Sequence, residues 1–199
     1  MNKKVKKVLA EVLSWIKYLS AAVVFVAVIN SQVFALTSVS GPSMESTLFE
    51  GESLILDKIS YDFSQPKRGD IVVFLLYENS ASIFNKFGVF FKDIRLKMSG
   101  GYRTDRLIKR VIGIPGDEID IQNGYLFLNG VKQDESYIKT ITEVASIQLP
   151  ITVPEGYIFV MGDNRMESRD SRHFGLLNIK NIEGKILLRT APLNKFGKP

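Results

Sequence analysis

The chain has 199 residues, 45% of them hydrophobic, with 26 Lys+Arg against 21 Asp+Glu, a formal charge of +5 and no cysteine. That length suits one globular domain, or one domain with a membrane segment, and the missing thiols exclude disulfides, thiolate zinc sites and cysteine nucleophiles. The charge is concentrated: Lys3, Lys4, Lys6, Lys7 and Lys17 against Glu11 put residues 1–17 at +4 and leave the remainder at +1, so the body of the chain carries no basic footprint for nucleic acid.

After Lys17 the next charged residue is Glu45, and Tyr18 to Leu36 is a largely apolar run of 19 residues. As a helix rising about 1.5 Å per residue it spans roughly 28 Å, about the hydrocarbon thickness of a bilayer. The lysines before it predict a cytoplasmic amino terminus and export of everything after Leu36. A cleavable signal peptide is the competing reading, because Val33 and Ala35 stand three and one positions before a possible cut, and Asn30, Ser31 and Gln32 interrupt the run. The expected organisation is a cytoplasmic leader over 1–17, a transmembrane anchor over 18–36 and an extracytoplasmic domain over 37–199. A sequence motif at Ser43, a few residues beyond Leu36, favours the anchor.

Beyond residue 50 short apolar segments alternate with turn residues, which predicts a mainly β fold. The expected strands are Ser53–Asp57, Asp70–Leu76, Leu107–Ile114, Glu118–Ile121, Tyr125–Leu128, Ile147–Val153, Tyr157–Met161 and Lys185–Arg189. Asn123-Gly124 and Asn129-Gly130 supply hairpin turns. One stretch breaks this pattern. From Ser82 to Met98, Phe84, Phe87, Phe91, Ile94 and Met98 recur at three and four residues, a helical period. Lys86, Lys92, Arg95 and Lys97 share the window. Two readings stand side by side: a helix lying on an anionic membrane, or an ordinary helix or long loop that packs its aromatic stripe on the domain.

Nucleophilic chemistry without cysteine rests on Ser, Thr or Lys. His173 is the lone histidine; among charged neighbours it reads as a surface residue, and one histidine cannot make a histidine-rich metal site. A lysine serves as a base where burial or a nearby cation lowers its pKa from about 10.4. Lys109 has that setting: on an alternating strand it shares a face with Leu107 and Val111, while Ile108, Arg110 and Ile112 take the other. A strand-edge lysine that snorkels to water is the alternative. The candidate nucleophile is Ser43, in Ser40-Gly41-Pro42-Ser43-Met44, where Gly41 and Pro42 shape a turn that exposes a hydroxyl and frees backbone N–H groups.

Four blocks occur in order: Ser43-Met44 with Thr47-Leu48; Arg68-Gly69-Asp70; Lys109 to Gly113 with Pro115-Gly116-Asp117; and Gly162-Asp163-Asn164-Arg165 with Ser168, Asp170, Ser171 and Arg172. In this the chain resembles the bacterial type I signal peptidases, in their short Gram-positive form, from the anchor to about Gly175. The resemblance implies a membrane-anchored β-rich serine protease that removes signal peptides from exported preproteins, without cofactor or metal. It implies Ser43 as nucleophile, Lys109 as general base, Ser168 as a hydroxyl that positions the lysine amine, Met44 beside the substrate, and the pairs Asp163 with Arg110 and Asp170 with Arg172 as braces. Some members place an oxyanion-stabilising serine where this chain has Gly41, so backbone N–H groups, chiefly that of Ser43, take that task here. The family usually has proline where this chain has Ser46, which predicts a less rigid exit from the turn. Nothing carries over to about Glu78–Asp105, which is longer and more aromatic than in compact relatives.

The implied partners are preproteins, membrane lipid and the secretion translocon. A second hypothesis keeps the fold as a catalytically unused assembly factor for surface appendages. A third, a self-cleaving cytoplasmic Ser-Lys repressor, fits poorly with the apolar amino-terminal run.

Overall fold

The computed structural model describes residues 3–101 and 103–199. It opens with helix α1 (Lys3–Val28), continued by a π-helical turn over Ile29–Val33. The helix is long and apolar enough to cross a membrane, by length and composition, and none of it is buried in the protein. The apolar run does not stay helical to Leu36. Phe34–Ser38 forms strand β1, antiparallel to β2 (Ser53–Asp57), with Phe34 opposite Asp57 and Ser38 opposite Ser53. Those residues satisfy their backbone in a sheet, so the helix gives way where the polar Asn30-Ser31-Gln32 run stands.

The remaining elements are α2 (Ser60–Phe63), β3 (Ile71–Leu75), α3 (Ile83–Met98), β4 (Arg106–Gly113), β5 (Glu118–Gln122), β6 (Tyr125–Leu128) and β7 (Val131–Lys132). They are followed by β8 (Ile151–Thr152), β9 (Tyr157–Met161), α4 (Ser171–Phe174), β10 (Leu177–Asn178) and β11 (Ile182–Ala191). Two antiparallel sheets result, one of seven strands in the order β1-β2-β11-β3-β4-β9-β10 and one of four in the order β7-β6-β5-β8. The fold is mainly β, with one long apolar helix at its amino-terminal end. Asn123 and Gly124, then Asn129 and Gly130, all have positive φ, as a two-residue hairpin turn requires. The strand expected over 147–153 shrinks to β8, because Pro150 lacks an N–H to donate and the amides of Ser146 and Ile147 bond to the Arg172 carbonyl instead.

Three apolar clusters make the core. Met44 and Leu48 of the turn after β1 pack with Leu54, Leu56, Ile71 and Val73, so the loop that carries Ser43 is nailed to the large sheet. Val72, Phe74, Val111 and Val160 form a second cluster on that sheet. Ile119, Ile121, Leu126 and Leu128 of the small sheet close on Phe159 and Met161 of the large one. The Arg68 guanidinium grips Asp117 with two hydrogen bonds, and Asp117 also accepts from Ile114 N at 2.9 Å and Asn129 Nδ2 at 3.0 Å. Burial opposes its ionisation, yet Arg68 and these donors hold its carboxyl below the usual range. Two of the sequence blocks thus meet as a fastening between the sheets.

Candidate active site

β4 carries Lys109 and Arg110 on adjacent positions. Opposite Lys109 in the register is Val72, which clusters with Val111 and Leu107, whereas Ile108 packs into the other side of the large sheet. Lys109 is 1% exposed. Its Nζ lies 2.7 Å from Ser43 Oγ and donates to the Ile108 carbonyl at 3.0 Å. Among the described residues no carboxylate touches it. Burial brings the amine down to about 8, Asp170 and Asp163 oppose that shift from a distance, and Arg172 adds to it. A lysine in these surroundings gives up its proton around pH 8, within hydrogen-bond reach of a serine hydroxyl.

Residues 12–191 match the protein family described as signal peptidase, peptidase S26. The chain belongs to that family. Signal peptidase I of Bacillus caldolyticus is 36% identical over 190 residues, covering 88% of this chain and 89% of the relative. Signal peptidase I P of Bacillus subtilis subsp. natto is 34% identical over 205 residues, 98% of each. Signal peptidase IB of Staphylococcus aureus strain COL is 30% identical over 202 residues, 94% of this chain and 93% of the relative. A crystal structure of a signal peptidase I from Enterococcus faecalis V583 aligns with 61% of this chain and 97% of that one, at 28% identity and a TM-score of 0.40. As a member of the signal peptidase family, the chain is a serine peptidase.

In this signal peptidase family member the Ser43 turn is held from several sides. Gly41 enters it at φ +80. Asn164 N donates to the Ser43 carbonyl at 3.1 Å and Asn164 Nδ2 to the Pro42 carbonyl at 3.2 Å. Gly162 presses against the same carbonyl: a methyl group on its Cα would collide with both Ser43 O and Ser168 Oγ, so only glycine fits. Among the described residues the Ser43 N–H donates no hydrogen bond. Ser46 does not loosen the exit. It takes φ +85, a value closed to proline, and its hydroxyl donates to the Tyr137 carbonyl.

The charged braces surround this turn. Arg110 donates from Nε and Nη2 to the two Asp163 oxygens at 2.8 and 2.6 Å, and Thr47 Oγ1 donates to Asp163 at 2.5 Å. The Tyr137 ring lies 4.2 Å below the Arg110 guanidinium. Arg172 grips Asp170 at 2.9 Å twice, and Gly162 N adds a third donor at 3.0 Å. Burial pushes the Asp170 carboxyl up, but Arg172 and these donors leave it below its ordinary value. Ser168 is buried beside this group. Its hydroxyl makes no hydrogen bond of good geometry among the described residues, and the lysine amine that it is expected to position has Ser43 and the Ile108 carbonyl as its partners.

Ser43, Met44 and Lys109 share a cavity of about 340 Å³, which β1 lines through Thr37 and Ser38 on one side and α3 through Leu96 and Lys97 on another. Met44 itself is a core residue, 1% exposed, that reaches the wall of this cavity. His173 takes no part: its Nδ1 accepts the Asp170 N–H at 3.4 Å, as the cap of α4. The sequence reading missed Asn164 and Gly162 as supports of the turn. The available signal was their place in the block that begins at Gly162.

Proposed function

We propose that this chain is a membrane-bound serine endopeptidase that removes signal peptides from exported preproteins, cutting after small residues, with Ser43 as nucleophile and Lys109 as general base. The 2.7 Å separation of Lys109 Nζ from Ser43 Oγ, at a buried amine whose pKa falls to about 8, carries the reading. Neutral Lys109 takes the hydroxyl proton as Ser43 Oγ attacks the carbonyl carbon of the residue before the cut. The proton passes to the leaving amine, and an acyl-enzyme forms. Lys109 then takes a proton from water, whose oxygen attacks the ester carbonyl; collapse releases the new carboxyl end and returns the proton to Ser43. The unengaged N–H of Ser43 is the donor for the developing oxyanion. Asp163 with Arg110 and Asp170 with Arg172 position the two reacting side chains without exchanging protons themselves.

β1 lies at the edge of the large sheet and lines the cavity, so an extended substrate segment finds backbone partners there. The apolar walls beside it, Val39, Leu56 and Ile108, suit small side chains. Anchorage through α1, with the amino terminus cytoplasmic, places enzyme and substrate on one surface and raises their effective concentration. Preproteins emerging from the secretion translocon are the partners that follow.

Detergent-solubilised protein should cleave a purified preprotein, and Ser43→Ala should lower turnover by about four orders of magnitude or more. A serine-reactive acylating inhibitor should label Ser43. A preprotein left intact, together with an unlabelled Ser43, would sink the protease reading in favour of the assembly factor.

A further inference from the structure

Helix α3 is inside out. Its charged face points inward: Lys86 Nζ donates to both Asp62 oxygens at 2.8 and 2.7 Å and to the Lys58 carbonyl at 2.8 Å. About two turns further on, Asp93 accepts from Arg103 at 2.5 Å and Arg106 at 2.7 Å, and Arg106 continues to the buried Glu183. Rotating the helix would unpair these groups, so its other face stays outside. At about 100° per residue, Ile83, Phe84, Phe87, Phe91, Ile94 and Met98 fall within an arc of roughly 100°. Five of them are exposed and Phe87 is half-buried. An apolar stripe of this kind, left uncovered by its own domain, calls for an occupant.

Two observations select a lipid surface. The first is continuity with α1: Gln32 Nε2, in the turn that ends the apolar helix, donates to the Ile83 carbonyl at 3.3 Å, so α3 starts where α1 would leave the bilayer. The second is charge. Arg95 flanks the stripe on one side and Lys97 on the other, within about 40° of its margins, which suits anionic headgroups. A second copy of the same face would bring these cations onto one another.

We propose that the outward face of α3 seats on the bilayer beside α1. Because Leu96 and Lys97 at its far end line the cavity that holds Ser43, this seating sets the height of the serine above the lipid and governs access to membrane-held substrate. The proposal rests on the reading of α1 as a membrane span.

The native Trp15, the chain's one tryptophan, reports on α1, and a Trp15→Phe, Phe91→Trp variant reports on α3. Both full-length proteins go into phosphatidylcholine–phosphatidylglycerol vesicles with brominated acyl chains. Both tryptophans should be quenched. Quenching at Trp15 alone overturns the α3 proposal and leaves the anchor standing; quenching at neither removes both. A residue 91 tryptophan shielded without lipid, in a concentration-dependent way, assigns the face to a second copy and also overturns it. In turnover, Phe84→Ser, Phe91→Ser and Met98→Ser together should slow cleavage of a vesicle-embedded preprotein about tenfold and leave a soluble peptide unaffected. Equal loss on both substrates would place α3 in the cleft's own integrity and refute a membrane seat.

Discussion

Lys86 and Lys109 are both buried lysines, and the protein treats them in opposite ways. Lys86 Nζ is filled by a bidentate carboxylate and a carbonyl, Asp62 and Lys58 O. Lys109 Nζ meets a hydroxyl and a carbonyl, Ser43 Oγ and Ile108 O, while the nearby carboxylates of Asp163 and Asp170 are already gripped by Arg110 and Arg172. The first arrangement is an ion pair that fastens α3. The second withholds the contact anion, so burial prevails and the amine is poised to lose a proton. Burial lowers the Lys109 pKa, and on the proposed mechanism it can do so because the neighbouring carboxylates are allocated to arginines.

The largest effect that separates the two is on turnover. Lys109→Met should lower preprotein cleavage by about two to four orders of magnitude, and Lys109→Arg should be equally inactive because arginine does not deprotonate in proteins. Lys86→Met should leave cleavage per folded molecule near the wild-type value. Equal losses in both variants, measured with the detergent-solubilised protein, would erase the distinction.

Stability should move in opposite directions. Below about pH 8 Lys109 is protonated in the folded and the unfolded chain alike, and the fold bears the cost of a buried charge. Between about 8 and 10.5 the unfolded chain binds more protons, so stability rises with pH. At pH 7, Lys109→Met should therefore be more stable than wild type, by up to about 3 kcal/mol, and the gain should vanish above pH 10.5. Lys86→Met should be less stable by about 1 kcal/mol, since it leaves the Lys58 carbonyl without its donor while the exposed Asp62 turns to water. Thermal melts of both variants across that pH range read the two signs directly.

Much of this contrast lay outside the reach of the sequence. Local alternation located β2, β6 and β9 to the residue, and the three-and-four spacing located α3. It did not reveal which face of α3 turns inward, because Lys86 and Asp93 find their partners at Asp62, Arg103 and Arg106 through tertiary contact. β1 was hidden inside an apolar run, since its identity as a strand depends on pairing with β2 across a loop. Ser43 and Lys109, 66 residues apart, came together in the reading through ordered blocks that resemble a family, and no local pattern joins them. The supports at Gly162 and Asn164 stood in a block that the reading quoted, but their task did not show there: a close approach that only glycine allows and a backbone amide that meets the Ser43 carbonyl both depend on which segment lies opposite.

The smallest effect tests how the carboxylates are allocated. Asp163 touches Arg110 and Thr47 and acts on Lys109 only through its field, which favours the protonated amine. Asp163→Asn removes that field while keeping a side chain of nearly the same shape between Arg110 and Thr47. The Lys109 pKa should then fall below about 8, so the rising limb of the pH profile of kcat/KM should shift toward acid even as the plateau drops from the loosened brace. A purely structural role would lower the plateau without moving the midpoint, and a shift toward alkali would mean that Asp163 does not act on the Lys109 amine in the way its position implies.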